Sequence, residues 1–356
     1  MGNASCSRVS RAHIPVMTPF SILDLAPIVE GQDAGAALRN ARRLAQAGER
    51  LGYNRFWMAE HHSMPGIASA ATSVALGFVA EGTSTIRIGA GGVMLPNHSP
   101  LQIAEQFGTL ESLYPGRIDL GLGRAPGTDQ AAAYAMRRNL QSDANQFPND
   151  VVELMEYLRP YDGRLSPEGR GRVRAVPGEG LDIPIWILGS STFGAQLAAM
   201  LGLPYAFASH FAPVQMMDAI AVYRETFRPS ARLERPYVML GFNAFAADSD
   251  AEGALLATSM QQAFVALRSG TPGKLKPPLR GYADTLPVQH AAMLDSVLSC
   301  SAIGSPATVR AQIEDFVTRT QADELMITSQ IFDFSARVRS YEIVADCFAG
   351  QMRAAA

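Results

Sequence analysis

The sequence has little cysteine, no long apolar run and no excess of basic charge, and each shortage removes a class of function. Its three cysteines, Cys6, Cys300 and Cys347, are odd in number and widely spaced. They supply neither a disulfide framework nor a Cys-x-x-Cys metal pair, which suits a reducing compartment and points to the cytoplasm. The most apolar stretch, 68–80, is broken by Ser69, Thr72 and Ser73 and closes at Glu81, short of the ~20 residues that span a bilayer. Basic and acidic residues number 30 and 33 and are interspersed, for a net charge of −3. Neither nucleic acid nor a membrane is therefore an expected partner. Charged residues make up 18% of the chain against 47% hydrophobic, enough apolar material for a large core.

Residues 1–13 lack the apolar stretch of a secretory signal. Cys6 stands where an N-myristoylation signal carries Ser or Thr. The expectation is a disordered tail over 1–13 and a single domain over 14–356. A nicotinamide dinucleotide fingerprint is also missing. Gly121-Leu122-Gly123-Arg124 begins like one, but Pro126 stands where the third glycine belongs.

What is present is a repeated unit: a short apolar run, a loop with Gly, Pro or His, then an Ala/Leu-rich stretch with helical spacing. Eight runs read as strands, at 17–23, 55–59, 85–90, 118–122, 183–188, 205–208, 237–246 and 324–328. Helices are predicted over 34–51, 69–81, 100–113, 150–158, 192–201, 213–227, 250–268 and 306–321, the last opened by a Ser305 cap and Pro306. Such alternation signals a parallel sheet, and runs that are apolar almost throughout fit strands covered on both faces. Eight units favour a closed α/β (β/α)8 TIM barrel over an open doubly wound sheet. Two stretches, 127–149 and 269–299, exceed ordinary connections. They are expected as insertions at the C-terminal face that wall or cover a site, the plain alternative being surface excursions.

Chemistry in such a barrel sits where strands end. After the second predicted strand comes Glu60-His61-His62. A metal reading is set aside because successive strand residues point to opposite sides and no other pair at metal-binding spacing supports it. One His could serve as a general acid or base at the mouth; loop capping and packing would account for the pair equally. After the third strand, Ala90, Gly91 and Gly92 let backbone approach a flat ligand, although a β-bulge uses glycine similarly. After the fourth, Leu122, Gly123 and Arg124 offer a guanidinium for phosphate, or a surface ion pair. After the fifth, Gly189, Ser190, Ser191 and Thr192 open a helix whose N-terminus can hold a phosphate, or merely cap it. Glycine platform, arginine and hydroxyl-rich helix start together describe a planar cofactor with a phosphate.

At these residues the chain resembles the luciferase-like flavin monooxygenases. The densest matches include Met-Leu-Pro-Asn-His-Ser-Pro at 94–100 and Tyr-Pro-Gly-Arg-Ile-Asp-Leu-Gly-Leu-Gly-Arg-Ala-Pro at 114–126. The resemblance implies FMN, a phosphate contact at Arg124, hydroxyl contacts at Ser191 with Ser190 and Thr192 beside it, and an acid/base role for His61. It further implies a cis peptide between Gly91 and Gly92, and a homodimer through the helices at 69–81 and 100–113. The sequence departs from luciferase in carrying Gly123 for the reactive cysteine, Ser209 and His210 near the place of a tryptophan, and Gln146 and Phe147 near that of a second phosphate-binding arginine. These departures weigh against light emission and a long-chain aldehyde substrate. Leu23, Asp24 and His210 are the expected substrate contacts, from their strand-end positions. The implied reaction oxygenates a small organic substrate with O2 and reduced FMN from a separate flavin reductase. The alternatives are F420-dependent hydride transfer and a non-catalytic flavin-binding or partner subunit.

Overall fold

Each of the eight apolar runs is a strand of one closed parallel barrel. The computed structural model describes residues 18–124, 135–136, 144–163 and 173–349; the expected tail and most of 127–149 lie outside them. The strands are β1 (Phe20–Asp24), β2 (Arg55–Met58), β3 (Arg87–Met94), β4 (Ile118–Gly123), β5 (Ile185–Gly189), β6 (Tyr205–Phe207), β7 (Val238–Ala246), β8 (Ser301–Gly304) and β9 (Glu324–Thr328). Strands β1 to β6 pair in chain order, β6 pairs with β7, β7 with β9 and β9 with β1, which closes the ring. Strand β8, absent from the sequence reading, lies outside the ring on the distal half of β7, from Asn243↔Ser301 to Ala246↔Gly304.

The helices are α1 (Ala34–Leu51), α2 (Thr72–Ala80), α3 (Pro100–Leu113), α4 (Phe147–Tyr157), α5 (Thr192–Leu201), α6 (Met216–Thr226), α7 (Asp250–Arg268), α8 (Val288–Leu298), α9 (Pro306–Thr320) and α10 (Phe334–Cys347). Predicted and observed ends coincide where a cap is strong. In α1, Asp33 accepts a hydrogen bond from Ala36 N–H and Gly52 closes the helix in the left-handed region. Helix α2 starts later than expected because Ser69 Oγ donates to the Leu25 and Ala59 carbonyls, fastening the chain to the strand ends. Pro306 opens α9 as expected, but the Ser305 hydroxyl faces Thr308 Oγ1 and makes no capping bond to the helix backbone.

The main core fills the space between strands and helices, with Ile22, Phe56, Leu120 and Phe107 among its members. A second cluster of Leu23, Trp57, Trp186, Met239 and Met326 lies inside the barrel. Below it, at the N-terminal end, is a charged layer. Asp119 accepts from Arg55 at 2.8 Å, Arg87 at 2.6 Å and Trp57 Nε1 at 3.1 Å. Glu324 accepts from Arg55, Tyr237 and Ser21. Every strong charge there is paired, the condition under which burial is tolerable.

The segment 269–299 is more ordered than its four prolines suggested. It contains α8, whose Leu294 and Val297 pack with Phe245, Met260 and Phe264 in a third cluster. Its earlier half crosses the loops after β1 and β2. Leu275 bridges Val29, exchanging backbone hydrogen bonds with Glu30 and Ile28, and Gly66 lies tight against Gly273. The insertion is thus anchored over the C-terminal face.

Candidate active site

Strand parity decides which side chains reach the interior. In β1, Leu23 joins the interior cluster whereas Ile22 belongs to the outer core. Asp24 therefore turns outward, where it accepts from Arg337 of α10 at 2.8 Å and from Ala26 N–H at 2.9 Å. The structure does not bring this expected substrate contact to the interior. The Ala90 and Leu122 side chains likewise lie in the outer core, leaving only their backbone to face a ligand.

The glycines open the interior above the aromatic layer. A Cβ on Gly91 would stand 2.9 Å from Trp57 and 3.0 Å from Leu23, and one on Gly92 would stand 2.7 Å from the Gly121 carbonyl oxygen. No larger residue fits beneath this surface without displacing it. The Gly91–Gly92 peptide is cis, as the resemblance implies. A Cβ on Gly123 would meet only the Val93 carbonyl oxygen, at an ordinary 3.7 Å. Trp57 and Trp186 meet edge to face at 5.2 Å and form the floor.

At the rim, the Arg124 guanidinium stacks on Phe193 at 4.1 Å from the ring centroid. Phe193 follows Thr192, so the cation lies beside the start of α5. Ser191 is the N-cap residue, with extended backbone and a hydroxyl that makes no capping bond. Ordinary capping therefore does not consume it, and the first N–H groups of α5 carry the partial positive charge of a helix start. Among the described residues no carboxylate pairs with Arg124. A cation, a hydroxyl that makes no capping bond and a helix N-terminus lie side by side, as an anionic group requires.

His61 and His210 lie near enough for the charge of one to act on the other. Burial lowers the pKa of His61, partly opposed by the Glu60 charge. His210 is pushed down to about 4, chiefly by burial and secondly by the His61 charge. Its Nδ1 is sealed from solvent without a hydrogen-bond partner. Gly241 makes room for it, since a Cβ there would lie 2.1 Å from that nitrogen. Asn243 Nδ2 donates to the His210 carbonyl at 2.8 Å. Both imidazoles are therefore neutral near pH 7.

Sequence reasoning missed a third histidine. Glu60 Oε1 accepts from His62 Nε2 at 2.6 Å and from His98 Nε2 at 2.7 Å, while Oε2 accepts from Met94 N–H at 3.1 Å. The expectation that nothing at suitable spacing joins Glu60 and His62 fails because His98, distant in sequence, arrives from the turn after β3. His61 is not part of this cluster. Of the positions aligned with a second phosphate-binding arginine, Phe147 is buried in the outer core and Gln146 is exposed.

Residues 18–324 match the family model described as luciferase-like monooxygenase. A luciferase-like monooxygenase of Escherichia coli K12 is 52% identical over 327 residues, covering 92% of this chain and 96% of its own. The N-acetyl-S-alkylcysteine monooxygenase of Bacillus subtilis is 41% identical over 196 residues, covering 54% of this chain and 57% of its own. Among solved structures, apo-MsnO8 superposes with a TM-score of 0.81 at 32% identity, covering 93% of this chain and 98% of that one. Likeness on this scale extends through the glycine strand, the rim arginine and the histidine loop alike, and the chain accordingly belongs to the luciferase-like monooxygenase family.

Proposed function

We propose that the protein is an FMN-dependent monooxygenase that oxygenates a small organic substrate with O2. The observation that carries this reading is the convergence of the Arg124 guanidinium with the uncapped start of α5, across from a glycine surface backed by Trp57. The donor set fits FMN: Arg124, Ser190, Ser191 and Thr192 would hold a dianionic phosphate, and Gly91, Gly92 and Gly123, with Gly189 and the backbone of Ala90 and Leu122, would receive a flat ring. Reduced FMN, when bound, supplies the electrons that activate O2.

The chain's own groups perform three tasks. Leu23, Trp57 and Trp186 present an apolar wall that keeps water from the reacting centre. His61, neutral and at the mouth, takes or returns a proton. His210 faces the same space and offers a hydrogen bond to substrate. The absence of a nicotinamide fingerprint supports supply of reduced flavin by a separate reductase. The 41% identity with an N-acetyl-S-alkylcysteine monooxygenase puts thioethers first among substrates to screen.

The α2 surface supports a homodimer. Its sequence, TSVALGFVA, is apolar nearly all round, yet Val74 and Phe78 are 73% and 38% exposed, with Leu113 of α3 at 63%. A helix apolar on every side expects burial on every side.

The test is to titrate the protein with oxidised and reduced FMN and then admit O2 to the reduced complex while screening thioethers, ketones and aldehydes. Saturable flavin binding and an oxygen-incorporated product are expected. His61→Ala should retain binding and lower turnover by about 10²- to 10⁴-fold. Anaerobic turnover with F420, without oxygenation by FMN, would select hydride transfer. Flavin binding with no product under either regime would select a non-catalytic subunit.

A further inference from the structure

We propose that Glu60, His62 and His98 form a binding site for one divalent cation of the zinc class. The three ligand atoms, one carboxylate oxygen and two imidazole nitrogens, lie within 4.8 Å of one another. Two imidazoles and one carboxylate form a zinc donor set that leaves a fourth position for water. The inference does not depend on flavin, because the cluster lies on the outer side of the loop that carries His61.

Both Nε2 atoms are aimed at a single oxygen. At 2.6 and 2.7 Å these contacts are hydrogen bonds. A tetrahedral zinc with bonds near 2.0–2.2 Å separates its ligands by about 3.4 Å, so each contact opens by roughly 0.7 Å. The rings can supply that movement because His62 and His98 are each about a fifth exposed on the side chain, at 22% and 23%.

The carboxylate is more constrained. Glu60 is buried and its second oxygen is held by Met94 N–H, an outer-sphere contact of the kind that orients metal ligands. Beyond these hydrogen bonds, a bound cation would give the buried carboxylate a compensating charge. The ligands line a pocket of about 370 Å³ that also includes Thr72, Val93 and Gln106, which provides the entry path and room for water.

The site joins the loop after β2 to the turn before α3. A bound cation would pin both against the mouth of the barrel and raise the melting temperature.

The experiment is to strip the purified protein with chelator and titrate it with Co²⁺, then Zn²⁺. One equivalent of Co²⁺ should bind with the visible bands of tetrahedral cobalt, and Zn²⁺ should displace it. His98→Gln keeps an N–H donor for Glu60 while removing the imidazole ligand. It and Glu60→Gln should each weaken binding by more than the ~10- to 100-fold that loss of an outer-sphere partner costs. His290→Ala and Cys347→Ser should leave binding unchanged. X-ray absorption of the wild-type complex should show imidazole and oxygen scattering, which keeps the test independent of whether the variants fold. Failure to bind one equivalent, binding that survives both ligand substitutions, or sulfur in the coordination sphere would overturn the proposal and leave the cluster a hydrogen-bonded clasp.

Discussion

His210 illustrates how a single residue is tuned by its seat. Its ring occupies space that exists only because position 241 is glycine, and its buried Nδ1 has no partner to stabilise a proton. The native state therefore holds fewer protons at this ring than the unfolded chain does between the folded pKa of about 4 and the ordinary histidine value of ~6.5. Stability from this group is fully present above that window, falls as the pH drops through it, and is gone below. The expected contribution is about 1–3 kcal/mol, the lower end applying where the ring edge stays solvated. Urea denaturation across this range should show a steeper pH dependence for the wild type than for His210→Gln; equal slopes would refute the assignment. His61 and Arg124 were legible as site candidates because each stands at a strand end in a recognisable local context. Asp24 was misassigned because β1, Phe-Ser-Ile-Leu-Asp, shows no clear alternation. A strand buried on both faces does not announce which of its residues face inward.

At the level of elements, the barrel is held at its base by charges contributed from separate strands. Asp119 of β4 ties β2 and β3 through Arg55 and Arg87, and Glu324 of β9 ties β2, β1 and β7. Asp119→Ala would leave two arginines and the Trp57 N–H beside an uncompensated interior. A loss of about 3–5 kcal/mol is expected, read as a lowered urea midpoint; a change within 0.5 kcal/mol, about the scale of an ordinary surface substitution, would contradict it. The strands and most helices were readable because βα alternation and capping residues are local signals. Helix α8 was not, since Pro272, Pro277, Pro278 and Pro287 marked the whole segment as irregular although Val288–Leu298 follows the last of them. Strand β8, Ser-Ala-Ile-Gly, is four residues long and carries a single β-branched side chain. Its pairing with β7 makes it a strand. Helix α10 did carry a readable signal in Asp333, whose carboxylate accepts from Ala336 N–H.

For the whole molecule, the proposed dimer makes a distinct prediction. Phe78→Asp places a charge on the exposed apolar face of α2 without entering the barrel. It should convert the dimer to monomer in sedimentation velocity while leaving the far-ultraviolet dichroism unchanged; an unaltered sedimentation coefficient would mean that subunits, if they associate, do so elsewhere. The same face borders the Glu60 pocket, since Thr72 and Val74 line it, so cation binding and association can be measured on one set of variants.

By itself, the sequence determined the class of molecule. Local periodicity and turn chemistry specify eight strand–helix units, and eight parallel units with apolar strands close most economically as a barrel. Glycines, an arginine and hydroxyls at successive strand ends mark the proposed ligand-bearing face for the same reason, because each is a property of a few adjacent residues. Tertiary structure decided everything that depends on distance or handedness of a side chain. It turned Asp24 outward to Arg337, set Arg124 against Phe193, and carried His98 to Glu60 and His62. These contacts join positions far apart along the chain, and barrel closure with the in-or-out parity of each strand fixes them, neither of which is written in any local stretch of residues.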